Sequence, residues 1–112
     1  MVQAYNNWYD GLQGGTLSYL QDVYYHWSNI KSPFCQGCNP LTNFSGVNGS
    51  KLVIGILASP SAGGSAYFAN NTVVKAFIDW TYNNSYAIAG MMMWDSHWDS
   101  VYGFNISTTV IQ

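Results

Sequence analysis

The sequence predicts an α/β fold in which parallel strands are joined by crossover helices. Two nearly unbroken apolar runs, Leu52 to Ala58 and Ala87 to Trp94, have strand length. Strands buried on both faces look like this, because a parallel sheet is covered by helices above and below. The segments between them place apolar residues at helical spacing. Strand-like and helix-like segments also alternate along the chain, the order that lays successive strands side by side in parallel.

Val2-Gln-Ala-Tyr5 reads as the end of a first strand, and the turn Asn6-Asn-Trp-Tyr-Asp-Gly11 follows it. From Thr16 to about Lys31 the apolar positions Leu17, Leu20, Tyr24 and Trp27 trace one helix face, with Thr16 or Ser18 as the candidate cap. Pro33, Gly37, Pro40, Gly46 and Gly49 break the chain into a loop over residues 32–49. The second strand, Lys51 to Leu57, runs into a long turn, Ala58 to Gly64. Asn71 or Thr72 is the expected cap of a second helix through Val73, Val74, Phe77, Ile78 and Tyr82. Tyr86 to Trp94 is expected as a third, buried strand, and Ile106 to Ile111 as a short last helix.

Residues 1–112 read as one unit with no linker, expected to be a partial one. Three fully apolar parallel strands want neighbours at both edges, and Met1 opens inside a strand-like segment. A piece of a larger α/β structure is therefore expected, or a chain that assembles with copies of itself through exposed strand edges.

Composition narrows the function. Of 112 residues, 48% are hydrophobic and only 7% charged, so surface polarity rests on Asn, Ser, Thr, Gly and Tyr. Lys31, Lys51 and Lys75 are the only basic residues besides histidine, and the net charge is −2. Nucleic-acid binding needs a basic stripe that neutralises several phosphates, and none can be assembled. An electrostatic membrane anchor fails for the same reason, and no apolar run approaches a bilayer span. The acids are Asp10, Asp22, Asp79, Asp95 and Asp99, with no Glu anywhere.

Cys35 and Cys38 form a C-x-x-C in a loop rich in Pro and Asn. A zinc half-site would need two more ligands, and His26 and His97 stand at irregular spacing for that. A thioredoxin-type motif belongs at a strand-to-helix turn. A local disulfide is the preferred reading, with free thiols next. Five N-x-S/T sequons, at Asn43, Asn48, Asn70, Asn83 and Asn105, favour a secreted, glycosylated protein.

Three segments, in order, carry a resemblance. Met1-Val-Gln-Ala-Tyr-Asn-Asn7 is similar to the sixth-strand motif of family 18 glycoside hydrolases, the chitinases. Lys51-Leu-Val-Ile-Gly-Ile-Leu-Ala-Ser-Pro-Ser-Ala-Gly-Gly64 resembles their seventh strand and loop. Ala89-Gly-Met-Met-Met-Trp-Asp95 resembles the eighth strand with its terminal tryptophan. The nearest subgroup is the plant- and fungal-type, hevamine-like chitinases. One departure is local: the seventh strand of the family usually ends Gly-Leu-Pro-Ala, and here it reads Gly-Ile-Leu-Ala58.

The resemblance implies the C-terminal portion of a TIM (β/α)8 barrel, comprising the sixth to eighth strand–helix units, with the site at the C-terminal strand ends. It implies retaining hydrolysis of β-1,4-linked N-acetylglucosamine chains, in which the substrate's own acetamido oxygen attacks the anomeric carbon. No cofactor or metal is expected, and the partners are chitin oligosaccharide and the remainder of the barrel. The family's acid is a Glu on the fourth strand, which would precede Met1. The chain alone is therefore expected to be inactive.

Carried over by position, Tyr5 matches the tyrosine that holds the N-acetyl carbonyl, the one residue here with a catalytic role. Gln3 and Asn6 match substrate contacts, and Trp94 matches the aromatic floor beneath the sugar. A phenol donor suits an amide oxygen that gathers charge, and an indole face suits the C–H face of a pyranose. Asp95, His97 and Asp99 suggest acid–base or metal chemistry, but turn hydrogen bonds explain them more simply. Trp8, Tyr9, Trp98 and Tyr102 are either groove-lining or packing residues. Two other functions compete with the enzyme: a non-catalytic chitin- or glycan-binding relative, and a self-assembling structural protein.

Overall fold

The computed structural model describes residues 2–5, 12–35, 46, 51–61, 63–95 and 97. Strand β1 (Val2–Gln3) is followed by helix α1 (Leu17–Trp27), strand β2 (Val53–Leu57), helix α2 (Asn71–Asn83) and strand β3 (Gly90–Trp94). A short 3-10 turn, Ser65–Tyr67, precedes α2. The sheet order is β1-β2-β3, and both pairings are parallel. The register is Val2 with Ile54 and Gln3 with Gly55 on one side of β2, and Val53 with Gly90 through Leu57 with Trp94 on the other. The ladder continues past the strand ends: the Ala4 N–H donates to the Gly55 carbonyl at 2.8 Å, and the Ala89 N–H to that of Leu52 at 2.8 Å. This is a small α/β unit, as the alternation predicts.

Burial follows from position in the sheet. Central β2 is sealed along Ile54, Gly55, Ile56 and Leu57. Edge strand β3 is only half-buried, and Trp94 is exposed at its end. The expectation of two equally buried strands fails for β3, because a near-continuous apolar run does not reveal how many neighbours a strand has.

Side chains alternate across a strand. Leu52, Ile54 and Ile56 of the central strand, with Ala4, pack against Tyr19, Leu20, Val23 and Tyr24 of α1 and Val74 and Phe77 of α2. Met91 and Met93, the register partners of Ile54 and Ile56, adjoin that core. Both helices therefore cover one face of the sheet.

Helix ends show why sequence and structure part by a residue. Thr16 caps α1, its side chain accepting from the Tyr19 N–H. Asn70, not Asn71 or Thr72, caps α2, its Oδ1 accepting from the Val73 N–H at 3.0 Å. Three consecutive good capping residues cannot be ordered by propensity, and the turn that delivers the chain decides among them. Trp27 and Tyr82, expected on apolar faces, are exposed, while Thr81 takes the buried place near Tyr82. The Thr81 hydroxyl donates to the Ile78 carbonyl at 2.7 Å, which removes the cost of burying it.

Gly15 fixes how the two loops at the helix starts meet. Its φ is +77°, and a Cβ there would collide with the Phe68 carbonyl, while one on Gly14 would strike the Tyr67 ring. The turn before α1 thus lies directly on the 3-10 turn before α2, and Tyr19 and Tyr67 meet with ring centroids 6.0 Å apart. At the other end of the helices Tyr24, Tyr25, Phe77, Trp80 and Tyr86 form an aromatic cluster with centroids 5.0–6.1 Å apart. The Tyr24 hydroxyl donates to the Ala87 carbonyl at 3.0 Å, tying α1 to the segment entering β3.

Candidate functional site

Register brings the sequence-predicted residues to one end of the sheet. Leu57 pairs with Trp94, and Tyr5 lies two residues beyond the last paired residue of β1, Gln3, just past the same end of the sheet. All three strands point the same way, so Tyr5, Leu57 and Trp94 stand together at the C-terminal strand ends. Neighbouring strands lie about 4.8 Å apart, which spaces the β1 and β3 chains by roughly 10 Å. Ala4 joins the helix-side core and Tyr5, the next residue, does not. Leu57 and Trp94 are likewise outside that core, on the face of the sheet opposite the two described helices.

Their environments differ. Tyr5 is 7% exposed and Leu57 fully buried, whereas Trp94 keeps 48% of its surface in water. Burial pushes the Tyr5 phenol above its usual range, so it remains a proton donor at every physiological pH. The arrangement is an immersed phenol and a half-open indole flanking a buried leucine. Chemically it suits a ligand that presents one polar acceptor and one apolar face. Leu57 was not singled out from the sequence, and its only signal was its place at the end of the apolar run.

Gln3 is placed by its backbone pairing with Gly55, two residues before Leu57. Asp95 follows Trp94 directly through a cis peptide bond, and exposed His97 lies two residues on. Among the described residues no group of three His, Cys, Asp or Glu is arranged to hold a metal. Asn6, Asp99, Trp8, Tyr9, Trp98, Tyr102 and the expected helix over Ile106 to Ile111 lie outside the described residues, as do the sequons at Asn43, Asn48 and Asn105. Asn70 and Asn83 are both exposed. Cys35 is held in a disulfide, and Cys38, the only other cysteine in the chain, lies outside the described residues.

A second polar cluster was not foreseen. Asp22 is fully buried in α1. The Ser32 hydroxyl donates to its Oδ1, and His26 Nε2 lies 3.4 Å from the same oxygen. The Phe34 N–H in turn donates to Ser32 Oγ at 3.1 Å. Both Ser32 and His26 address the carboxylate rather than each other, so no nucleophile–base pair is formed. The cluster anchors the loop leaving α1, at the end of the sheet remote from Tyr5 and Trp94.

A cleft of about 550 Å³ opens at that remote end, lined by Thr81, Tyr82, Ser85, Tyr86 and Ala87. No described helix is long and apolar enough to cross a membrane. In comparisons with known proteins, no family model, curated protein or solved structure matches the chain.

Proposed function

We propose that this chain forms one side of a chitin-binding cleft in a secreted family 18 glycoside hydrolase barrel, contributing substrate positioning and not the catalytic acid. The observation that supports the reading is that Tyr5 and Trp94 both lie at the C-terminal end of the parallel sheet, outside the core that the two described helices form with it. Ligands in parallel α/β folds gather at that end. In this reading the Tyr5 hydroxyl donates to the acetamido oxygen of N-acetylglucosamine, aligning it toward the anomeric carbon. The Trp94 indole lies beneath the ring, and Gln3 and Asn6 complete the contacts. The TIM barrel, with this chain as its sixth to eighth units, belongs to the same proposal.

The chain's own residues define what it does not supply. Cleavage needs a proton delivered to the leaving oxygen, a contribution of ~10² to 10⁴ in rate. The sequence has no Glu. Of the described aspartates, Asp22 is buried in α1, Asp79 pairs with Lys75 at 3.5 Å on α2, and Asp95 directly follows Trp94. The lack of a Glu favours a second reading, a glycan-binding chitinase-like protein without turnover. Titration of the chain with an N-acetylglucosamine oligomer, followed by tryptophan fluorescence, tests what the two readings share. Trp94→Ala should weaken binding by about 30-fold, the loss of a central aromatic anchor, and Tyr5→Phe by about 2- to 10-fold, one hydrogen bond. Unchanged affinity in Trp94→Ala would remove the site. Turnover of a fluorogenic oligomer by the pure chain would show that an aspartate serves as the acid.

A further inference from the structure

We infer that Asn83 carries an N-linked glycan whose first sugar lies against the exposed ring of Tyr82 at the end of α2. The two helices end in the same backbone motif. After α1 the Asn29 N–H donates to the His26 carbonyl at 3.2 Å and the Ile30 N–H to that of Tyr25 at 2.9 Å. After α2 the Ser85 N–H donates to the Tyr82 carbonyl at 3.2 Å and the Tyr86 N–H to that of Thr81 at 2.8 Å. In both cases the residue beyond the cap is left-handed, with φ of 56° at Asn29 and at Ser85. Glycine is the ordinary occupant of that position and asparagine the usual substitute, since a Cβ is disfavoured there.

Helix α1 follows this preference with Asn29, and α2 departs from it with Ser85. Folding gives no reason for the hydroxyl: Ser85 is exposed, and its side chain makes no hydrogen bond among the described residues. Ser85 is, however, the third residue of Asn83-Asn84-Ser85, where glycan transfer requires a hydroxyl. The acceptor amide is available. Asn83 is exposed, and the carbonyl of Trp80 at the helix end is met by Asn84 Nδ2 at 2.8 Å instead. Tyr82 adds an independent observation, for a large aromatic residue 84% exposed lines the cleft beside Ser85. Its ring offers the apolar platform that the C–H face of N-acetylglucosamine fits.

The modification forms a bond from Asn83 Nδ2 to C1 of an N-acetylglucosamine. The bond from C1 to the phosphate oxygen of a polyprenyl-diphosphate oligosaccharide donor breaks, the diphosphate departs, and the amide proton passes to a base of the transferring enzyme. The inference rests on the secretory reading and on nothing at the Tyr5–Trp94 end.

The full chain is expressed behind a cleavable secretion leader in a eukaryotic host, which makes routing independent of the chain itself. Peptide-N-glycosidase treatment in heavy-oxygen water, then peptide mapping of secreted and cell-retained chain, marks each occupied Asn as labelled Asp. Label at Asn83 is expected in the wild type and in Tyr82→Ala, and none in Ser85→Gly or Asn83→Gln. With the other four sequons silenced by Ser45→Ala, Ser50→Ala, Thr72→Ala and Ser107→Ala, enzymatic deglycosylation should lower the melting temperature more when Tyr82 is present than in Tyr82→Ala. Deglycosylated Ser85→Gly should melt above the deglycosylated wild type, because glycine suits the left-handed position. An unlabelled Asn83 overturns the site, and not the secretory reading, since the leader supplies the routing. An equal glycan-dependent shift in Tyr82→Ala overturns the seating on Tyr82.

Discussion

Tyr5 differs from a surface tyrosine in how it responds to alkali. Burial raises its phenol above the usual value, and it does the same for Tyr24 and Tyr25, where the nearby Tyr86 adds to the effect. Folding thus favours the neutral form of all three. Their contribution to stability is fully present below the unfolded value of about 10 and is lost as pH rises through the higher folded values. Denaturant midpoints measured on either side of that value should fall on the alkaline side, in step with phenolate absorbance. Tyr5→Phe should make the fall shallower, and an unchanged slope would mean that Tyr5 titrates as if in water.

At the scale of elements, the start of each helix depends on one or two residues. Gly15→Ala adds a Cβ at φ +77° against the Phe68 carbonyl, so it combines backbone strain with a collision. The expected cost is on the order of 1–3 kcal/mol, read from chemical denaturation. Asn70 allows a cleaner comparison. Asn70→Asp keeps an oxygen that accepts from the Val73 N–H and should be nearly neutral, while Asn70→Ala removes it and should cost about 1 kcal/mol. Equal losses in the two variants would show that the cap bond does not hold the helix start.

Over the whole molecule, the two described helices cover one face of the sheet. Phe77 is fully buried between helix and sheet, and Phe77→Ala should cost about 3–5 kcal/mol. That approaches the total stability of many domains, about 5–15 kcal/mol, so loss of cooperative unfolding is expected. The outer edges of β1 and β3 carry no strand partner among the described residues. Unpaired parallel edges recruit strands, and the isolated chain should show concentration-dependent association by light scattering. A monomer at all concentrations would indicate that the edges are blocked.

The sequence by itself determined the order of elements and their class, because apolar run length and helical spacing are local properties. Thr16 as a cap and the break after Leu57 were legible in the same way, as were the acids available and the absence of Glu. Only tertiary structure decided which strand is central. Leu52 to Ala58 and Ala87 to Trp94 look alike as strings, yet among the described residues β2 has two neighbours and β3 one, and Trp94 emerges half in water. That Tyr5 and Trp94 come to the same end of the sheet is also a tertiary fact, since the parallel pairing of both strands with β2 sets it and spacing along the chain does not. So is the burial of Asp22 with Ser32 and His26, where a charged residue on a helix gives no sign that its neighbours will enclose it. The hydroxyl of Ser85 shows the division most clearly. The sequence marks it as the end of a sequon, and only the backbone around it reveals that glycine would have fitted better.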